Sequence, residues 1–329
     1  MNKFYGLINN KLNLNTKKYT LIIGETPSSG ARSPKLWNKV YAKNKENLKM
    51  YPADISQVNL KKMINYLKKD NFFLGGAVTA PYKELLLKYI DKISKEAQQI
   101  GSVNTLKKKN NQIIGYNTDF FGFIETLKKF KFKKNILIFG CGGAGKAVFI
   151  ACKNYFNSSS FFLINRNKKN LKKFLKKSKF KNFKIINHES IENLKNIDLV
   201  INTTSIGFNS WIYRKNYYFN LSFFTPMIDI ESIKGVKEKN NKKFMLKNKK
   251  LIEEDTKIYN KFLENNKNCE IIDIIYNPLQ TKLLKIGRQK KHRVVNGLKM
   301  NFFQAVKAYS IVNNDKNIKR INKIMSKNG

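Results

Sequence analysis

The chain has 329 residues, enough for two domains of ordinary size, and its 42% apolar residues can build a sizeable core. It carries 65 Lys and Arg against 22 Asp and Glu, a formal net charge of +43. The excess is spread through helices such as KKNLKKFLKKSKF and travels with abundant Lys, Asn, Ile and Phe, as an AT-rich coding sequence produces, so nucleic-acid binding is not expected as the primary role.

No apolar run approaches the roughly 18 residues of a membrane span. Two histidines, His188 and His292, and three scattered cysteines, Cys141, Cys152 and Cys269, give neither metal-site spacing nor a CxxC pair. Nothing resembling a secretory signal stands before the first strand. The expectation is a cytoplasmic protein with reduced thiols, no metal and no membrane. Its positive field favours anionic small molecules and a phosphorylated cofactor.

In chain order, the strand YTLIIG runs into IIGETPSSGARSP, residues 22–34, a turn dense in hydroxyls and backbone NH groups. Such a turn at a strand end is either a plain loop or a cradle for a small anion. Then come SPKLWNKVYAK, NLKMYPADI, LKKMINYLKK, FFLGGAVT and KELLLKYIDKIS, read as alternating helices and strands. This βαβα pattern favours a sheet covered by helices. VNTLKKKNNQIIGYNTD reads as a hairpin around Asn110 and Asn111.

A second series starts at NILIFGCGGAGKAVFIACKNY and continues through FFLINR, FKIINHE, IDLVINTT and EIIDIIY. These apolar, β-branched runs suit buried parallel strands. HRVVNGLKMNFFQAVKAYSIV closes the pattern with a strand and a long helix. Between Gly207 and Glu270 the pattern breaks. FNSWIYRKNYYFNLSFF is aromatic-rich, and Ser232 to Lys250 holds eight Lys against one Glu, so the latter stretch is expected to be a solvated, mobile insertion.

Gly140, Gly142 and Gly145 stand in a GxGxxG frame between a strand and a helix, the context that makes the motif informative. The first Gly permits the turn, the second lets backbone approach a pyrophosphate, and the third lets helix and strand pack closely. The helix start, with Gly143 and Ala144, offers NH groups to phosphate. An NAD site places an acid at the end of the next strand. Here that strand ends Asn165-Arg166-Asn167, and no Asp or Glu occurs from Lys146 to His188. Arg166, with Lys168 or Lys169 adding charge, suits a 2′-phosphate, so NADP is the expected cofactor.

AVTAPYKELL puts Lys83 at an expected helix start, and GYNTDFFGF puts Asp119 between strand and helix. Reduction of a carbonyl by hydride leaves an oxyanion that needs a proton, which a lysine ammonium can supply while a carboxylate holds it.

With VTAPYK, GSVNTL, GYNTDFFG, GCGGAG, NRN, INTTSIG, YNPLQTKLL and NGLKMNFFQA in this order, the chain resembles the shikimate dehydrogenase family over nearly its whole length outside the insertion. The resemblance implies that Lys83 and Asp119 are the catalytic pair. It implies that Thr79, Asn104, Asp119 and Gln304 bind ring hydroxyls and that Tyr276 sits by the substrate. Asn202, Thr203 and Thr204 would line the cofactor side, with Ile274 and Gly297 near the nicotinamide.

The implied fold is α/β: a substrate domain, residues 1–118 with 298–329, a doubly wound Rossmann-type NADP domain, residues 119–297, and a cleft between them. The implied reaction is reversible, NADP-dependent reduction of 3-dehydroshikimate to shikimate in chorismate and aromatic amino acid biosynthesis, by a monomer or homodimer. Alternatives are a quinate or other cyclic hydroxy-acid dehydrogenase, or a non-catalytic NADP-binding regulator.

Two departures stand out. The family's GxPxxHSxSP-like loop holds the substrate carboxylate with two Ser hydroxyls. Here Ser33 and Pro34 match its end, Ala31 stands where the first Ser belongs, Gly30 replaces the His, and the loop is one residue longer. Ser28 or Ser29 can supply the missing hydroxyl, or Arg32 can contact the carboxylate directly. The second departure is the insertion, about residues 209–268, where the family's span is much shorter. A flap, a docking face and an idle expansion all remain open for it.

Overall fold

A computed structural model describes residues 5–327 of the chain. It forms two compact units. Residues up to Thr126, with Lys146–Ala151 and Phe302 onward, make the first, and Leu127–Gly145 with Cys152–Asn301 make the second.

In the first unit the chain runs β1 (Lys18–Gly24), α1 (Ser33–Lys43), β2 (Leu48–Asp54), α2 (Gln57–Lys69), β3 (Phe73–Val78), β4 (Lys92–Ile93), α3 (Lys95–Ile100), β5 (Thr105–Lys109), β6 (Gln112–Tyr116) and α4 (Asp119–Leu127). The sheet order is β2-β1-β3-β5-β6-β4. The β1–β2, β1–β3 and β4–β6 pairs are parallel, whereas β3–β5 and the β5–β6 hairpin are antiparallel. Period-two alternation in β1 sends Tyr19, Leu21 and Ile23 to one face and Ile22 to the other. The first face packs on Leu60, Met63, Ile64 and Leu67, the apolar stripe of α2. The second packs on Leu36, Trp37, Val40 and Tyr41 of α1.

KELLLKYIDKIS does not form the expected helix. It makes a 3-10 turn, Leu85–Lys88, followed by β4. Its backbone is drawn into the sheet instead: Asp91 N donates to Ile113 O at 3.0 Å and Ser94 N to Gly115 O at 2.9 Å.

The second unit runs β7 (Asn135–Phe139), α5 (Gly143–Tyr155), β8 (Ser160–Ile164), α6 (Lys168–Ser178), β9 (Phe183–Ile185), β10 (Leu199–Asn202), β11 (Trp211–Arg214), β12 (Tyr217–Asn220), α7 (Asn241–Asn265), β13 (Glu270–Asp273), α8 (Lys282–Gln289) and β14 (Val294–Val295). The large sheet has the order β14-β13-β10-β7-β8-β9, every pair parallel. Numbered within the unit this is 6-5-4-1-2-3, the doubly wound order whose strand direction of growth reverses between β7 and β10. Then α9 (Leu298–Asn313) and α10 (Ile318–Ser326) follow, and Ala305, Val306, Tyr309, Ile321 and Met325 fill the α1 side of the first sheet.

The insertion is folded, including residues 232–250, the stretch expected from its charge to be solvated and mobile. β11 and β12 pair antiparallel through Lys215 and Asn216, both at positive φ, the two-residue hairpin turn that matches strand twist. Phe219, Phe224, Ile233, Val236 and Phe244 form a separate small core. The Lys234 backbone is pinned by Asn248, whose Oδ1 accepts from Lys234 N at 2.9 Å and whose Nδ2 donates to Lys234 O at 2.5 Å. Further along α7, Tyr259, Phe262 and Leu263 cover Ile271 and Leu283 of the main core.

Candidate active site

In the first unit Asn104 stands just before β5, clamped by its own backbone. Its N donates to Tyr116 O at 3.0 Å, and its O accepts from Val78 N at 2.7 Å. This aims the amide at the turn after β6. Asn104 Oδ1 accepts from Thr118 N at 2.7 Å and from Thr105 Oγ1 at 3.1 Å. Its Nδ2 faces Asp119 Oδ1 at 2.9 Å and Gln304 Oε1 at 3.2 Å. Asp119 is the first residue of α4, where the helix dipole favours a negative charge.

The other Asp119 oxygen, Oδ2, accepts from Lys83 Nζ at 2.6 Å. Lys83 is held through its carbonyl, which accepts from Val103 N at 2.8 Å. The Asp119 side chain is 6% exposed and that of Lys83 21%, so the carboxylate is covered while the ammonium reaches the surface. An ammonium so placed keeps N–H donors for a ligand oxygen and can pass it a proton. Lys83, Asn104, Asp119 and Gln304 thus come together as one hydrogen-bonded group. Thr118 and Thr105 belong to it as well, and sequence reasoning passed over both. The signal was there for Thr118, which directly precedes Asp119 in the same motif.

Thr79 follows β3, its N donating to Ile23 O at 2.8 Å. A Cβ at Gly24 would stand 2.3 Å from Thr79 Cγ2, so this threonine lies directly on the start of the serine loop. In that loop Ser28 is committed: its N donates to Asp54 Oδ1 at 2.8 Å and its hydroxyl to Asp54 Oδ2. Ser29 is exposed, and its hydroxyl donates locally to Thr26 O at 2.6 Å. Ser33 is buried at the first position of α1.

In the second unit the glycine turn follows β7. Gly140 has φ +89, and a Cβ at Gly145 would stand 2.6 Å from Thr203 Oγ1 and 2.7 Å from Gly140 O. Thr203 seals the contact by donating to Phe139 O at 2.7 Å and Gly140 O at 3.0 Å. At Gly142 an added side chain would meet no atom within 4 Å, so this peptide borders open space at the start of α5, beside Gly143 and Ala144. That combination fits the pyrophosphate of a dinucleotide.

Asn165 braces the turn from β8, its Oδ1 accepting from Cys141 N at 3.0 Å. Arg166 beside it is exposed, and Lys168 Nζ donates to Asn187 Oδ1 at 2.6 Å. The Glu231 carboxyl of the insertion sits below the usual carboxylate range. Its bond to Lys215 is the main cause, and Arg214 and Arg166 add to it.

Asn202 is fully buried, so it supports the turn from within. Its Oδ1 accepts from Thr204 N at 2.9 Å, and its Nδ2 donates to Asp273 Oδ1 at 3.0 Å. Burial pushes the Asp273 carboxyl up to about 7 against the pull of Thr281, Ile275 and Asn202. Gly297 lies on Ile274, where a Cβ would be 1.8 Å from the Ile274 carbonyl oxygen. Tyr276 belongs to this unit too, edge-on to Phe208 at 6.5 Å between ring centres. Among the described residues no group of three or more His, Cys, Asp or Glu side chains is arranged to hold a metal ion, and no helix is long and apolar enough to cross a membrane.

Residues 22–106 match the family model described as shikimate dehydrogenase substrate binding domain. A shikimate dehydrogenase (NADP(+)) of Clostridium botulinum is 31% identical over 285 residues, spanning 85% of this chain and 91% of that protein. One of Methanosphaera stadtmanae is 30% identical over 299 residues, spanning 89% and 90%. The crystal structure of shikimate dehydrogenase from Aquifex aeolicus superimposes with a TM-score of 0.68 at 26% identity, covering 97% of this chain and all of that one.

Proposed function

The chain belongs to the shikimate dehydrogenase family, and on that premise we propose that it reduces 3-dehydroshikimate to shikimate, reversibly, with NADPH. The observation that carries the reading is the 2.6 Å contact of Lys83 with Asp119, inside a group that also contains Asn104 and Gln304.

When bound, NADPH supplies the hydride. In reduction the Lys83 ammonium gives its proton to the carbonyl oxygen, and in oxidation neutral Lys83 takes the hydroxyl proton back. Asp119 keeps the ammonium aimed and accepts from a neighbouring ring hydroxyl. Asn104 and Gln304 hold further hydroxyls, and Thr79 borders the same end of the sheet. Gly140, Gly142, Gly143, Ala144 and Gly145 would take the pyrophosphate and Arg166 the 2′-phosphate, while Asn165, Asn202 and Thr203 keep the turns in shape. The protein is read as a cytoplasmic monomer or homodimer whose partners are small molecules.

A second reading, another cyclic hydroxy acid such as quinate, rests on the altered serine loop. Asp54 holds the Ser28 hydroxyl and Thr26 O takes that of Ser29, so a carboxylate cradle with Ser33 would need Ser29 to give up its local bond. Following NADPH oxidation with 3-dehydroshikimate, and NADP reduction with shikimate and with quinate, tests both readings. Turnover of shikimate is expected to exceed that of quinate. No turnover of 3-dehydroshikimate would remove the first reading.

A further inference from the structure

β13 ends on Asp273, which has no exposed surface. A carboxyl at the end of an apolar strand is costly unless donors surround it. Three segments supply them. Asn202 Nδ2, from the end of β10, donates to Oδ1 at 3.0 Å. Ile275 N, from the turn after β13, donates to the same oxygen at 3.0 Å. Thr281 Oγ1 donates to Oδ2 at 2.7 Å while accepting from Leu284 N at 3.3 Å as the cap of α8.

The strand register sets this up, for Asn202 and Asp273 are directly opposite and both are terminal residues of their strands. That carboxyl edge is where open α/β sheets receive ligands. Two of these donors lead on to residues expected at the cofactor, and the third, Thr281, ties the carboxyl to the start of α8. Asn202 Oδ1 accepts from Thr204 N and, at 2.8 Å, from Thr204 Oγ1, which fixes the turn carrying Thr203 against Gly140 and Gly145. Ile275 O accepts from Gly297 N at 2.9 Å, which fixes the Ile274–Gly297 contact.

We propose that Asp273 is a positioning residue for the dinucleotide, a buried acceptor that locks the β10 turn, the turn after β13 and the α8 cap into the one arrangement that receives the cofactor. This rests on the reading of the second unit as the NADP site. With no exposed surface, Asp273 acts through its three donors, Asn202, Ile275 and Thr281. Replacement by Asn keeps the volume but turns one acceptor oxygen into a donor that faces donors.

The test uses the full-length protein with NADPH titrated calorimetrically, alongside steady-state kinetics. The unaltered protein is expected to bind NADPH. In Asp273→Asn the NADPH dissociation constant and KM rise about tenfold, while kcat at saturating cofactor and the KM for 3-dehydroshikimate stay within about twofold. Thr281→Val moves the same quantities in the same direction by about threefold, and Thr281→Ser, which keeps the hydroxyl, restores the original affinity.

Should Asp273→Asn not fold, the Thr281 pair decides, because it removes one of the three donors that lock the carboxyl while Asp273 itself stays in place. Unchanged NADPH affinity in Asp273→Asn, or in Thr281→Val where that variant decides, overturns the proposal, as does a loss of kcat with unchanged NADPH affinity. Failure of the unaltered protein itself to bind NADPH removes the underlying reading first, and the two failures are thereby told apart.

Discussion

The Lys83 ammonium and the Asp119 carboxylate, 36 positions apart in the chain, meet at 2.6 Å, and the second carboxylate oxygen is occupied by Asn104 at 2.9 Å. Asp119 is therefore held from both sides, by a fixed amide and by the cation it steers. Only the cation reaches the surface. Under the proposed function, this arrangement gives the acid the task of orientation and the amine that of proton transfer.

Removing that amine should stop the chemistry and little else. For Lys83→Ala, kcat for 3-dehydroshikimate reduction is expected to fall by roughly 10²–10⁴, the usual worth of a positioned acid–base group. NADPH affinity should persist, because the residues proposed for the cofactor lie in the second unit. Calorimetry and steady-state rates on one preparation check both halves, and unchanged kcat would remove Lys83 from the mechanism.

Gln304 separates binding from bracing. Its Oε1 accepts from Asn104 Nδ2 at 3.2 Å. As a ligand for a ring hydroxyl, it should give Gln304→Leu a KM for 3-dehydroshikimate about tenfold higher with kcat nearly kept. A fall in kcat at constant KM would instead make Gln304 a brace for Asn104.

Much of this was legible because the informative residues sit at strand ends in short motifs. Gly140 to Gly145 can be read from spacing alone, since only glycine tolerates the Thr203 and Gly140 atoms that crowd position 145. The two sheets followed from apolar period and turn residues. KELLLKYIDKIS misled because its leucines suit a helix, whereas its fate was set by backbone partners on β6, which no local pattern announces. The insertion misled for a related reason. Eight lysines conceal an apolar stripe whose partners, Phe219, Phe224 and Val236, come from the preceding hairpin and loop. Asp273 was overlooked because a lone acid in EIIDIIY looks like an ordinary strand ending until its three donors are known.

Cofactor choice should respond to the insertion. Arg166 is the residue expected at the 2′-phosphate, and Glu231, which also pairs with Arg214 at 2.5 Å and Lys215 at 2.9 Å, lies within electrostatic reach of it. Arg166→Ala should lower kcat/KM for NADPH by about 10–100-fold and leave that for NADH nearly unchanged. Glu231→Gln should act in the opposite sense, lowering the KM for NADPH by a few-fold at low salt and less at high salt. An equal loss with both cofactors in Arg166→Ala would assign Arg166 to folding instead of phosphate recognition.

Asp255 of α7 makes stability depend on pH. Burial pushes its carboxyl up from 3.8 to about 6, against the opposing pull of Thr225 and Lys282. Its Oδ1 and the Tyr259 hydroxyl, one helical turn apart, are buried without hydrogen-bond partners. A raised carboxyl pKa means the folded state holds a proton that the unfolded chain has already released. Stability from this group is therefore highest below the unfolded value near 4, falls as pH rises toward 6, and stays low above it.

Asp255→Asn removes the titration, and its new N–H donor suits a helix face where an acceptor such as the Tyr259 oxygen is unsatisfied. Thermal unfolding of the two proteins should differ little at pH 4. At pH 8 the variant should be the more stable by about 2–3 kcal/mol, because the wild-type carboxyl must ionise against a pKa raised from 3.8 to about 6, at about 1.4 kcal/mol per pH unit. A variant that melts lower at pH 8 would show that the ionised carboxylate is stabilising here, through Lys282, and reverse the assignment.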